Sequence, residues 1–265
     1  MTRLKLVSCG LLLLVGCWLN PAFAGRSCDD VQSNPTSIMK GLELAQKTKL
    51  ALDDSGAELA IIARVGQDLS KYNLRYSHLG LVYREPNGRW NVLHELNQCG
   101  TAESSLFNEG LGNFFMDDVF AYETMLIIPN EDQQKKLKEL IDTKVALQLH
   151  DAHYNMLAFP FSTKYQNSNQ WALELLAAGQ SKDIVITNRG QAQNWLKLAG
   201  YQPSELNIPA LTRLGARMFR ANVAFDDHPM DRRMAGKIDV VTVESINQFM
   251  QMRDPQIKRI VLTYP

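Results

Sequence analysis

Ser168 stands in the stretch Tyr165-Gln166-Asn167-Ser168-Asn169-Gln170-Trp171, where a loop breaks into a helix. Trp171, Leu175 and Ala178 recur at helical spacing, and Ala172 with Leu176 widens the apolar stripe. Asn167 is suited to cap the first turn, with Gln170 three residues on in capping-box position. A hydroxyl is thereby placed at the positive end of a helix, where several hydrolase folds present the attacking side chain. The residue types alone allow three readings: a nucleophile, the stand-in for a missing one, or a polar helix start without chemistry.

The second candidate group is an imidazole. Residues 76–96 read YSHLGLVYREPNGRWNVLHEL, two strand-like segments around Asn87-Gly88, the pair best suited to a type I′ turn. With those two as turn residues, Gly80 faces Glu95 and His78 faces Asn97. One face then carries His78, Gly80, Val82, Leu93, Glu95 and Asn97. Glu95 becomes the diagonal neighbour of His78 at roughly 7–8 Å, and Asn97 its direct partner. A neutral imidazole held by a carboxylate or an amide is what a general base requires. Set against a serine, it would complete the logic of nucleophile, base and orienter. A slip of one residue in the turn would bring His94 to this face instead.

Other groups compete for attention. Cys28 and Cys99 are the cysteines left after residue 24, and they read as a disulfide pair or, alternatively, as holding one reactive thiol. His150-Asp151-Ala152-His153 has two imidazoles at metal-ligand spacing without a third ligand in view. The plainer reading is of histidines at a helix C-terminus, and neither metal nor organic cofactor is implied. Asp226-Asp227-His228-Pro229 holds the residue types of a catalytic loop, which are also those of an ordinary turn.

Ser77-His78-Leu79-Gly80-Leu81-Val82 followed by Trp90-Asn91-Val92-Leu93-His94-Glu95 resembles the histidine hairpin of NlpC-type papain-like hydrolases. The order, with this hairpin before the helix opening at Asn167-Ser168-Asn169, resembles the circularly permuted branch of YiiX-like and lecithin:retinol acyltransferase-like proteins. The mature chain also resembles an uncharacterised family of secreted bacterial proteins assigned to that superfamily. The specific part of the resemblance covers about residues 57 to 178. It implies an α+β papain-like domain with an antiparallel sheet packed against helices. It also implies a hydrolase or acyltransferase acting on an amide, ester or thioester, with cell-wall peptide as one substrate class. Ser168 would attack, His78 would act as base, and Glu95 or Asn97 would orient the ring.

One departure bears on activity, because such proteins carry cysteine at the helix start. A helix N-terminus lowers a thiol's pKa into the useful range but cannot ionise a serine hydroxyl, which needs His78 to take its proton during attack. Two readings follow: a working serine hydrolase, or an inactive envelope binding module that keeps the papain-like cleft.

These groups need a scaffold to bring them together. The chain has 265 residues and 45% hydrophobic content, room for one sizeable core. Lys+Arg and Asp+Glu stand at 28 each, so no net field draws nucleic acid or an anionic membrane. The sequence predicts helices over about 37–52, 131–149, 168–178, 189–198 and 209–220. Strands are expected over about 57–65, on both arms of the hairpin, up to Ile128, and over 183–187, 238–243 and 257–262. Strands and helices mix without βαβ alternation, so the class is α+β. Residues 25–265 read as a single domain, with the segment after about residue 180 as an extension. Residues 1–24 have the form of an export signal: Arg3 and Lys5, an apolar Leu6–Val15, and Ala22-Phe23-Ala24 at the cleavage position. Leu14-Val15-Gly16-Cys17 resembles a lipobox, which would anchor Cys17 to lipid. Both readings place the protein outside the cytoplasm, periplasmic or envelope-associated, with no transmembrane helix in the mature chain.

Overall fold

A computed structural model of the chain describes residues 34–116 and 119–264. The expected export signal, Cys17 and Cys28 lie outside them. In chain order the elements are α1 (Pro35–Ser55), β1 (Leu59–Val65), β2 (His78–Arg84), β3 (Trp90–Asn97), β4 (Ser104–Gly110), α2 (Leu111–Met116), β5 (Ala121–Ile128), α3 (Glu131–Asp142) and α4 (Val145–Gln148). There follow α5 (Ser168–Gln180), α6 (Arg189–Leu198), β6 (Ser204–Asn207), α7 (Ala210–Phe219), α8 (Met230–Met234), β7 (Lys237–Val240), α9 (Val243–Arg253) and β8 (Lys258–Thr263).

Six strands form one antiparallel sheet in the order β4-β3-β2-β1-β5-β8, with helices on both faces, so the class is α+β. The central strand β1 is buried along its whole length, which is why it reads as an apolar run interrupted only by Arg64. Its odd positions, Leu59, Ile61, Ala63 and Val65, pack with α3, α5, α6 and α9. Its even positions Ala60 and Ile62 pack under α1 and α2. The third even position is Arg64, a buried charge on an otherwise apolar face. That polar intrusion marks the end of the sheet where the candidate site lies.

Among the described helices, that of Ser168 is buried along almost its whole length. Eleven of its neighbours in α5 besides Ser168 are buried, and Trp171 donates its indole N–H to the Ala146 carbonyl at 3.0 Å. Side chains of this size contribute roughly 2–3 kcal/mol each when fully buried, so the start of α5 is a rigid platform. A second, two-stranded ribbon, β6 with β7, has its own small core of Leu206, Ile208, Val223, Phe225, Ile238 and Val240.

Several boundaries differ from expectation. The helix expected to reach Leu149 stops at Asp142, because Lys144 adopts a left-handed φ of 62° before the short α4. Residues 183–187 are not a strand; Ile184 and Val185 lie exposed. Residues 104–110, for which no strand is predicted, form β4, and the strand expected over 238–243 is the shorter β7 of the separate ribbon.

Candidate active site

The geometry of the site is decided at one turn. In the β2–β3 hairpin Gly88 N–H donates to Glu85 C=O at 2.8 Å, and Glu85 N–H donates to Arg89 C=O at 2.8 Å. The loop is therefore Pro86-Asn87-Gly88, a turn followed by Gly88 in the left-handed region at φ 81°. Pro86 sits at the second position of that turn, where its fixed φ is favourable. A two-residue Asn-Gly turn would have paired Arg84 with Asn91; the observed pairs are Arg84 with Trp90, Val82 with Val92 and Leu81 with Leu93. Every side chain of β3 is thus on the face opposite to the one expected. His94 comes to His78, and Glu95 goes to the other side.

The result is a chain of hydrogen bonds. Ser168 Oγ lies 3.2 Å from His78 Nδ1, His78 Nε2 lies 2.8 Å from His94 Nδ1, and His94 Nε2 lies 3.0 Å from Glu109 Oε1. Its direction follows from its end, since a carboxylate only accepts. His94 must then donate from Nε2 and accept at Nδ1, and His78 must donate from Nε2 and accept at Nδ1. Ser168 Oγ–H is left as the donor at the head. The tautomers are fixed by this logic, and the serine faces an imidazole lone pair.

Three features hold this arrangement. A Cβ on Gly80 would come within 2.8 Å of His94 Cβ and 2.9 Å of Leu93 O, so only glycine lets the second imidazole lie flat across β2. The Phe114 ring of α2 packs over both imidazoles, with centroids 6.0 Å from His78 and 5.3 Å from His94. Arg64 stacks on the same ring at 4.8 Å and donates to the Phe114 carbonyl. Burial, first of all, then the charge of Arg64 and the presence of His94, hold the His78 pKa well below the ordinary imidazole value. His78 is therefore neutral at physiological pH, as a base awaiting a serine proton has to be.

Around Ser168 the helix start has the expected cap. Asn167 Oδ1 accepts from Gln170 N–H at 2.8 Å, while the Gln170 side chain turns to Pro160 C=O and Glu174 and does not close the expected capping box. The N–H groups of Ser168 and Asn169 belong to the first helical turn, which has no intrahelical acceptors for them. A helix N-terminus is the positive end of the helix dipole, the electrostatic setting that an oxyanion beside Oγ would need. The Tyr154 hydroxyl is a further neighbour: burial above all, and the charge of Glu95, push its pKa up, against the hydrogen bond of Ser168. Behind the loop, buried Arg189 donates to Glu174 Oε2 at 2.9 Å, Tyr165 C=O at 2.7 Å and Thr163 C=O at 3.0 Å. It thereby ties the segment before Ser168 to the body of α5. Burial raises the Glu174 pKa, and Arg189 only partly offsets it.

Of the residues the sequence singled out, His78 and Ser168 meet; Glu95 and Asn97 do not join them. Glu95 faces α5, makes no hydrogen bond through either oxygen, and has its pKa pushed up to about 8 by burial. The Ser104 hydroxyl nearby is turned to His150 Nε2 at 3.1 Å. Asn97 binds the backbone of Thr101 and Glu103 and accepts from Asn222 at 2.9 Å. Cys99 is disulfide-bonded and so is no free thiol, and the partner expected for it, Cys28, lies outside the described residues. His153 pairs with Asp151, and among the described residues no group of three metal-ligating side chains occurs. His228 donates to Leu157 C=O and so anchors that loop. Glu109 and Arg64 were missed. The alternation of residues 104–110 is weak in strand formers, and Arg64 is legible only as a charge inside an apolar run.

Fold and site together define an α+β protein with a buried serine at the start of a helix, hydrogen-bonded into a His–His–Glu chain carried by its central sheet. By sequence the chain belongs to the family described as "Uncharacterized protein conserved in bacteria (DUF2145)", which matches residues 51–250 and so spans all four members of that chain. Neither a curated protein nor a solved structure matches it.

Proposed function

We propose that the protein is an exported hydrolase or acyltransferase of papain-like type that attacks an amide, ester or thioester through Ser168. The observation that carries this reading is the unidirectional hydrogen-bond chain from Ser168 to Glu109. In the attack step Ser168 Oγ bonds to the substrate carbonyl carbon, and the carbonyl π pair moves to oxygen. The Oγ proton passes to His78 Nδ1. An imidazolium at His78 would lie beside Arg64, so the second imidazole matters. Passing the Nε2 proton to His94 moves the positive charge away from Arg64 and next to the Glu109 carboxylate. On collapse His94 returns the proton to His78 Nε2 as His78 gives its Nδ1 proton to the leaving amine, alcohol or thiol, leaving acyl-Ser168. Water, or an acceptor nucleophile, then repeats the sequence. Cell-wall peptide is one substrate class consistent with an exported bacterial protein, and the apolar N-terminal run supports export.

One observation favours a second reading, a binding module without turnover. Ser168 and His78 are only 7% and 8% exposed. Two surface grooves, of about 560 and 400 Å³, include none of Ser168, His78, His94 and Glu109. A fluorophosphonate probe separates the two. An enzyme labels at Ser168, and His78→Ala removes the label, whereas a binding module does not label in the folded state. If Ser168→Cys becomes alkylated where the native serine stays inert, the binding reading is the correct one.

A further inference from the structure

Asn169 follows Ser168 in the first turn of α5 and is 8% exposed, close to the 7% of Ser168. Its Nδ2 donates to the Ser77 carbonyl at 3.4 Å. Ser77 is itself held in place. Its N–H donates to Arg64 C=O at 3.2 Å, and its Oγ accepts from Gly66 N–H at 2.9 Å and Gln67 N–H at 3.1 Å. The anchor fixes which way the amide faces, because a flipped Asn169 would set two acceptor oxygens against each other. Oδ1 is therefore committed as an acceptor, yet it is buried and accepts no hydrogen bond among the described residues. A buried acceptor left unpaired costs more than an ordinary hydrogen bond returns, so its place beside the nucleophile calls for a donor that arrives with the substrate. Gln170 also has an unpaired oxygen, but that side chain is 0% exposed and its Nε2 is turned to Glu174 in the interior. Asn169 differs in being tethered to the residue that precedes His78.

We infer, on the reading of Ser168 as the attacking group, that Asn169 Oδ1 accepts the N–H of a scissile secondary amide. The substrate class is then a peptide-like amide, and not an ester or thioester. The tether to Ser77 puts the acceptor on the side of Ser168 where His78 works, and His78 is the group that hands a proton to the leaving atom. Once the carbonyl carbon is tetrahedral, the lone pair of the leaving nitrogen has to face the imidazole for that transfer. Holding the N–H at Asn169 leaves the lone pair free for His78 Nδ1–H. No bond is made or broken at Asn169 itself. The leaving oxygen of an ester, or sulfur of a thioester, has no hydrogen to offer and would leave Oδ1 unpaired in the complex.

The test pairs N-acetyl-alanine p-nitroanilide with N-acetyl-alanine p-nitrophenyl ester, which share an acyl group and differ in the N–H. Native protein should turn over both, and Ser168→Ala neither. In Asn169→Leu, and in the smaller change Asn169→Ala, the ratio of anilide to ester kcat/KM should fall on the order of 10- to 100-fold. Taking the ratio within one sample cancels the folded fraction, which a purely structural role of Asn169 would change equally for both substrates. An unchanged ratio in both variants overturns the inference, as does native turnover of the ester without the anilide. Turnover of neither also overturns it, and fluorophosphonate labelling of the native protein then shows whether the Ser168 reading falls with it.

Discussion

Replacing Glu95 by glutamine tests the register of the hairpin and the state of the buried acid together. The carboxyl is 0% exposed, lacks a hydrogen bond, and has its pKa raised from 4.5 to about 8. A raised folded-state pKa means that the unfolded chain releases this proton first. The contribution of Glu95 to stability is therefore whole below pH 4.5 and declines as pH rises, until the folded form also ionises near 8. Each pH unit in that window removes ~1.4 kcal/mol, so about 4 kcal/mol is lost between pH 5 and pH 8. Glutamine cannot ionise and should abolish this slope. Urea unfolding at pH 5, 6.5 and 8 measures it, with the difference between native protein and Glu95→Gln as the readout, because other titrating groups cancel. The variant should gain on native protein by roughly 4 kcal/mol across the range, whatever its absolute stability at pH 5. Ser168 labelling should at the same time stay within about twofold of native, since Glu95 does not touch His78, whereas Glu109→Gln should slow it by about 10²-fold or more. A stability difference that does not change with pH would refute the buried neutral acid. Loss of labelling in Glu95→Gln with none in Glu109→Gln would refute the observed register.

Two further substitutions probe what holds the site. Gly80→Ala forces a methyl to within 2.8 Å of His94 Cβ and 2.9 Å of Leu93 O; calorimetry should show a loss of about 1–3 kcal/mol and labelling should fall by about tenfold as His94 is displaced. Unchanged values for both would mean that His94 does not need this close approach. Arg189→Met strands the Glu174 carboxylate in the core and frees the backbone carbonyls of Thr163 and Tyr165; denaturant unfolding should report a loss of about 3–5 kcal/mol. Adding Glu174→Met should restore part of it, and no restoration would show that the carbonyl contacts, and not the ion pair, carry the cost.

The elements at the site were legible where local chemistry was unambiguous. Asn167 caps the helix that the sequence assigns to it, as Asn34 and Asn130 cap theirs, because a side-chain oxygen satisfies first-turn donors wherever the chain goes next. The register was not legible from Asn87-Gly88 alone. Asn-Gly favours a two-residue turn, but Pro86 before it suits a turn one residue longer, and that residue exchanges Glu95 for His94. Glu109 could not be found by spacing at all, since its link to His94 runs between neighbouring strands of a sheet whose order a single sequence does not state. The same slip also bears on whether serine can serve where a papain-like site has cysteine. With Glu95 as orienter, the positive charge formed at His78 would have stayed beside Arg64. With His94 and Glu109 in series the charge has a path away from that cation, and this is what a serine, which cannot ionise in advance, requires of its base. The exchange of a carboxylate for a second imidazole, set by one residue of turn, is therefore the feature that makes Ser168 chemically plausible as an attacking group.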